Sequence, residues 1–150
     1  MLGEDYLNDE FFMKQALQEA LKALEKDEVP VGAVVVAGQT VVARAHNLTE
    51  ALNDVTAHAE MQVITAATHH LGSKYLDECT LYVTLEPCIM CAGAIFWAQT
   101  GKLVYGAPDP KRGFRTLKVP VLHPRTEVVE GILSHEAESL LKEFFRKKRI

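Results

Sequence analysis

The 150-residue chain predicts an α/β fold, and two observations carry that reading. Residues 31–37 form a β-branched, nearly continuous apolar run, which suits a strand buried on both faces. From residue 56 onward helix-like and strand-like periods alternate, and strand–helix–strand units imply parallel pairing with right-handed crossovers.

The elements follow in order. Apolar residues Phe11, Phe12, Ala16, Leu17, Ala20, Leu21 and Leu24 recur at helical spacing within residues 8–26. Asn8 or Asp9 can cap that helix, and Glu28-Val29-Pro30 ends it. The apolar strand comes next, then the turn Gly38-Gln39 and a second strand at 40–45, which together read as a hairpin. Residues 46–54 are polar and turn-like. A second helix is predicted from residue 56 or 57 to 70, stopped by Leu71-Gly72-Ser73. Residues 79–85 alternate as a third strand, Leu81 and Val83 against Thr80, Tyr82 and Thr84. Pro87 suits the first turn of a third helix reaching about residue 100. Gly101 ends it, and residues 102–107 form a fourth strand. Residues 108–125, rich in Pro, Gly, Lys and Arg, read as an irregular surface loop. A short fifth strand at 127–130 precedes a last helix, which starts at Ser134 and ends in Phe144-Phe145-Arg146-Lys147-Lys148-Arg149. No repeat, low-complexity tract or linker interrupts the chain, so residues 1–150 are expected to form one domain.

Composition narrows the function classes. No stretch approaches the roughly 20 apolar residues of a membrane span, so no membrane partner is expected. The N-terminus, Met-Leu-Gly-Glu-Asp-Tyr, is acidic and lacks the apolar segment of a signal peptide. Three cysteines, an odd number with two in Cys-x-x-Cys, argue against a disulfide framework and for a reducing, cytoplasmic setting. A net charge of −4 and a pI near 5.9 are not the global footprint of a nucleic-acid binder. Any such contact needs a local patch.

Two short stretches carry the chemistry, Thr56-Ala57-His58-Ala59-Glu60-Met61 and Leu85-Glu86-Pro87-Cys88-Ile89-Met90-Cys91. One imidazole and two thiolates, from His58, Cys88 and Cys91, make a three-ligand zinc set whose fourth position is left for water. Each stretch runs into a helical pattern, so the ligands fall at helix N-termini, where free amides and the dipole favour thiolate. Cys88 and Cys91, three residues apart on a first turn, share a face. Parallel strands would bring two successive helix N-termini to one sheet edge, where the metal is assembled. A structural zinc has four protein ligands, and no fourth ligand stands at matching spacing. Cys79 falls in an apolar strand and reads as a buried thiol. A redox Cys-x-x-Cys would leave His58 and Glu60 unexplained. Glu60, two residues past the histidine, fits as the proton carrier beside the metal-activated water.

Other residues carry less. His46 at a strand end, His69-His70 at a helix end and His123 in the loop read first as structural. The basic tail has two readings, both open on the residues alone. Cations at a helix C-terminus are favourable without a partner, whereas Phe144 and Phe145 beside Arg146 and Arg149 suit unstacked bases and phosphates. The stretch Ala92-Gly93-Ala94-Ile95-Phe96-Trp97-Ala98 has little polar relief on any helical face, so a second subunit is expected to cover part of it.

These motifs resemble a known family. His-x-Glu followed by Pro-Cys-x-x-Cys is the signature of zinc nucleobase deaminases. The stretches Glu28-Val29-Pro30-Val31-Gly32-Ala33-Val34, Asn53-Asp54-Val55-Thr56-Ala57-His58-Ala59-Glu60, Leu81 through Ala94 and Gly106-Ala107-Pro108-Asp109-Pro110-Lys111 are similar to bacterial tRNA-specific adenosine deaminases of the cytidine-deaminase-like superfamily. The likeness covers nearly the whole chain. It implies a three-layer α-β-α fold with a mixed five-stranded sheet, one Zn²⁺ per subunit and a homodimer. It implies hydrolysis of adenosine to inosine at the wobble position of tRNA, with Glu60 shuttling protons. By the same resemblance Asn47 hydrogen-bonds the flipped base, and Val29 and Ala59 line its pocket. Asp109 and the Phe144-Phe145-Arg146 tail approach the anticodon loop. Two stretches depart from the family pattern: Leu48 follows Asn47 where a proline is frequent soon after, and Gly113-Phe114-Arg115-Thr116-Leu117 replaces a longer Gly/Ser loop. Ala94-Ile95-Phe96-Trp97-Ala98 is also similar to guanine deaminases, so a free base or nucleoside is the alternative substrate.

Overall fold

The computed structural model describes residues 8–148. In chain order the elements are α1 (Asp9–Glu25), β1 (Gly32–Ala37), β2 (Thr40–His46), α2 (Ala59–Leu71), β3 (Cys79–Leu85), α3 (Ile89–Trp97), β4 (Lys102–Ala107), β5 (Glu127–Glu130) and α4 (Ser134–Lys148). They build one mixed sheet in the order β2-β1-β3-β4-β5. The expected three-layer α/β architecture is the one observed.

The register explains where the site sits. β1 runs antiparallel to both β2 and β3, while β3–β4 and β4–β5 are parallel. Two successive reversals leave β2 and β3 pointing the same way. The helices that follow them, α2 and α3, therefore begin at the same edge of the sheet. Parallel strands do bring the two helix starts together, but with an antiparallel strand between them.

β1 is an interior strand, and its alternate residues feed two cores. Val34 and Val36 join Tyr82 and Val104 beneath Phe12, Met13 and Ala16 of α1. Ala33 and Val35 join Leu81, Val83, Leu103 and Tyr105 against Ala59, Val63 and Ala67 of α2 and Ala92 and Ile95 of α3. Asn8 caps α1 by accepting from the Phe11 amide at 2.9 Å. The buried face of α1 is shifted from the sequence pattern: Met13 and Glu19 are inside and Leu21 is exposed.

Three expectations need correction. β3 is buried on both faces rather than alternating, because helices cover both sides of the sheet centre. Its polar groups are satisfied there: Tyr82 donates to Asp9 at 2.8 Å, and Thr84 accepts from the Gly32 amide at 3.2 Å. Second, α3 stops at Trp97. Gln99 is left-handed (φ 52°), and the Thr100 amide and hydroxyl both donate back to the Ile95 carbonyl, at 3.3 and 3.2 Å. Third, the 108–125 segment is not wholly a surface loop. It holds a 3₁₀ turn at Phe114–Thr116, a bridge from Gly113 to Cys88, and a buried Phe114 ring edge-on to Tyr105.

Candidate active site

His58 is the N-cap of α2 and Cys88 the N-cap of α3, both with extended backbone and neither making a side-chain capping bond. N-caps ordinarily spend a side-chain oxygen on the first-turn amides. Here an imidazole and a sulfur stand in that position and are left free to face each other. Cys91 follows in the first turn of α3. Pro87 thus precedes the cap instead of occupying the first helical turn. Gln62 staples the site together, donating from its amide to the carbonyls of His46 at 2.8 Å and Ala57 at 3.0 Å.

The Nδ1 of His58 lies 3.5 Å from Cys91 Sγ and 3.7 Å from Cys88 Sγ. Tetrahedral bonds of about 2.3 Å to sulfur and 2.05 Å to nitrogen require an N···S span of about 3.6 Å. Both N···S distances match that span, and the three donors form the group that could hold a metal ion among the described residues. The Cys91 thiol, hydrogen-bonded to Cys88, and His58 beside it together hold Cys88 as a thiolate, far below the ordinary thiol range. The same sharing and burial push the Cys91 proton the other way. A bound metal would need both sulfurs as thiolates and the imidazole neutral, so its affinity would fall as pH drops.

Glu60 occupies the second position of α2, buried beside the cluster within hydrogen-bond reach of Cys91. Burial pushes its carboxyl up to about 7, against the pull of its own amide and of His58. The pocket above it is lined by Val29, Asn47, His58, Ala59, Cys88 and Asp109, among others. Asn47 is buried, and its Oδ1 has no hydrogen-bond partner. A buried acceptor left open in a pocket awaits a donor.

The tail is split. Ala137, Leu141 and Phe144 lie on the packed side of α4, and Phe144 is 8% exposed, so its ring belongs to the protein's own packing. Phe145, 45% exposed, and Arg146 face solvent. Lys148 pairs with Asp27 at 2.6 Å, which brings the end of α4 close to the segment carrying Val29. Arg149 lies outside the described residues. Cys79 is buried in β3, and the α2 end holds His69-His70 away from the cluster.

Two buried carboxylates escape sequence reading because their partners are far along the chain. Glu28 accepts from the amides of Glu50 and Ala51, at 3.0 and 2.7 Å, and shapes the turn before the first motif. Glu86 accepts from the amides of Asp109 and Arg115, at 3.0 and 2.9 Å. The one available signal was an acid set between an apolar strand and Pro-Cys.

His46 turns to α1 rather than to the pocket. Lys26 donates to its Nε2 at 3.0 Å, which leaves Nδ1–H to donate to Glu19 at 2.9 Å. Burial pushes the Glu19 carboxyl up, but bonds from His46 and Lys22 outweigh it and its pKa is lowered. Such a group stabilises the fold fully above its unfolded value of 4.5, and the contribution is lost as pH falls through the lower folded value. Glu19→Gln is therefore expected to lower the melting temperature at neutral pH, with the gap to the parent protein closing as pH falls below the ordinary carboxylate range. A gap that does not narrow with acidification would remove Glu19 from this role.

Comparison with known proteins agrees with the geometry. A family model described as MafB19-like deaminase matches residues 7–149. The chain belongs to this deaminase family. The tRNA-specific adenosine deaminase of Agrobacterium fabrum (strain C58) is 49% identical over 144 residues, 93% of this chain and 95% of that protein. A solved chain from a study of A-to-I editing by tRNA:A34 deaminases at the wobble position is 48% identical, with a TM-score of 0.81, covering 87% of this chain and 98% of that one. Guanine deaminase from Bacillus subtilis is 40% identical, with a TM-score of 0.64, over 67% of this chain and 65% of its own. The resemblance drawn from the motifs is borne out, and among these three the full-length similarity lies with the tRNA enzymes. No helix among the described residues is long and apolar enough to cross a membrane.

Proposed function

We propose that the protein is a zinc-dependent hydrolase that converts adenosine at the wobble position of a tRNA into inosine. The single observation carrying the chemistry is the buried Glu60 carboxyl beside the His58, Cys88 and Cys91 donors, at the floor of a pocket. The substrate rests on similarity over the full chain to relatives named for that reaction. When bound, one zinc ion per subunit lowers the pKa of water toward neutrality. Glu60 takes a proton from the attacking water and delivers it to N1 of the adenine. The water oxygen adds to C6, Glu60 takes the remaining proton of that new hydroxyl and passes it to the amino group, and as C6=O forms the C6–N bond breaks and ammonia leaves. Asn47 Oδ1, unpartnered and buried, receives a donor from the base or its ribose. Val29 and Ala59 provide apolar walls for the purine, and Asp109 closes the outer side.

Bases in an anticodon loop are already splayed, which lowers the cost of placing one in such a pocket. Phe145 and Arg146 offer an exposed ring and cation for the flanking strand, with Arg149 beyond them; Phe144 supports Phe145 from beneath, ring centroids 5.2 Å apart. Residues 1–150 act as one deaminase domain, in the reducing cytoplasm that free cysteines suit. Ile89, Gly93 and Trp97 share one face of α3, and Trp97 is 77% exposed, so a second copy of the chain is proposed to cover it. Light scattering at micromolar concentration is expected to give twice the 16.7 kDa chain mass; the mass of one chain would exclude the homodimer.

Ammonia release measured side by side on a tRNA anticodon arm, free guanine and free nucleosides tests the substrate. Turnover is expected on the arm alone. Turnover of guanine with none on the arm would install the free-base reading.

A further inference from the structure

The outer wall of the pocket is built by a device that nothing in the metal chemistry requires. Glu86 follows directly on β3, two residues before Cys88, and is only 4% exposed. One carboxylate oxygen takes the Asp109 amide and the other the Arg115 amide. A buried carboxylate with both oxygens spent on backbone amides of one loop acts as a fixed clamp. Gly113 passes so close that a Cβ there would collide with this carboxylate. The loop is bonded again on either side of the clamp. The Gly113 amide donates to the Asp109 carbonyl at 2.9 Å, and the Phe114 amide to the Pro87 carbonyl at 2.9 Å.

Within that clamped loop, Asp109 turns its side chain inward and accepts from the amides of Lys111 and Arg112, at 3.2 and 3.0 Å. Arg112 therefore has a fixed backbone and a free side chain. It lines the pocket mouth, where the other ionisable lining residues are His58, Glu60, Glu86, Cys88 and Asp109. Among the described residues its guanidinium joins no ion pair, hydrogen bond or ring contact. Arg115, three residues on, is the contrast. It is spent on Glu130 at 2.9 Å and lies over the Tyr105 and Phe114 rings. One arginine of the loop is structural, and the other is held out at the entrance.

We propose that the Glu86-clamped loop presents Arg112 as a cation that binds a phosphate of the nucleic-acid strand flanking the flipped nucleotide, with Glu86 as the positioning residue. The inference rests on the RNA substrate proposed above. A planar guanidinium pairs with phosphate oxygens two at a time, and each phosphate so neutralised contributes to the salt dependence of binding. A free base carries no phosphate and gives Arg112 nothing to hold.

The test uses the metal-loaded, full-length protein. Anticodon-arm binding is followed by fluorescence anisotropy across a salt series, alongside kcat and KM on the same arm. Arg112→Ala is expected to raise Kd and KM about tenfold with little change in kcat, and to make the salt slope shallower by about one phosphate. Arg112→Lys, which keeps charge but not the planar fork, is expected to recover the slope and only part of the affinity. Glu86→Gln turns one acceptor into a donor facing a backbone amide. It should reproduce the loss of slope while keeping the metal, and the double variant should add nothing further. If Arg112→Ala leaves slope and KM unchanged, the phosphate contact is wrong while the substrate reading stands. If the effects of Arg112→Ala and Glu86→Gln simply add, Glu86 does not act through Arg112. Absence of deamination of the arm by the parent enzyme would overturn the substrate reading and this inference with it.

Discussion

Glu60→Gln is expected to keep its metal and to lose turnover by about 10²–10⁴-fold. The substitution preserves side-chain volume and leaves His58, Cys88 and Cys91 in place. It removes only the ability to take up and return a proton. That ability is what the environment of Glu60 provides. Burial pushes the carboxyl up to about 7, close to the range in which one group both accepts a proton and gives it back. A carboxylate with no catalytic role would gain from its place in the first turn of α2 but would have no reason to be buried beside sulfur. Metal analysis and ammonia release on the same preparation decide the matter. Near-parent turnover would strip Glu60 of the proton role, and loss of metal would place it among the groups that hold the ion.

The donor cluster is legible in the sequence because its chemistry is local. His58 and Glu60 sit two apart, Cys88 and Cys91 three apart, and each pair opens a helix whose periodicity is plain. What the sequence leaves open is how the two motifs meet. That depends on β1, an antiparallel strand inserted between β2 and β3, and apolar content alone does not fix strand direction. The β3 pattern misleads for a related reason. Tyr82 and Thr84 look like an outward face, yet Asp9 and the Gly32 amide satisfy their hydroxyls inside the structure. Phe144 and Phe145 are adjacent in sequence, and only the packing of α4 shows which ring is inside. Glu28 and Glu86 read as ordinary acids until their amide partners, more than 20 residues away, are seen.

Gly32→Ala is expected to destabilise the protein by about 3 kcal/mol, as overpacking of a dense core does. At roughly 2–4 °C per kcal/mol for a chain of this size, the melting temperature should fall by about 6–12 °C. The backbone angles of Gly32 are not the reason, since it lacks the positive φ seen at Gly38, Gly72 and Gly131. The reason is contact: an added Cβ would overlap the Ala16 carbonyl and the Ala20 amide of α1 and crowd the Glu19 Cβ. These are helix backbone atoms that cannot rotate aside, so helix or strand must move. Either movement reaches the pocket, because the Val31 carbonyl beside Gly32 accepts the Asn47 amide at 3.1 Å. Gly32 also pairs with His46, whose ring is locked to Glu19 on the same helix. Activity on the anticodon arm should therefore fall along with stability, with KM rising as Asn47 shifts. A variant melting within about 1 °C of the parent protein would mean that α1 yields at no cost, and the close approach would lose its claim to hold the pocket in place.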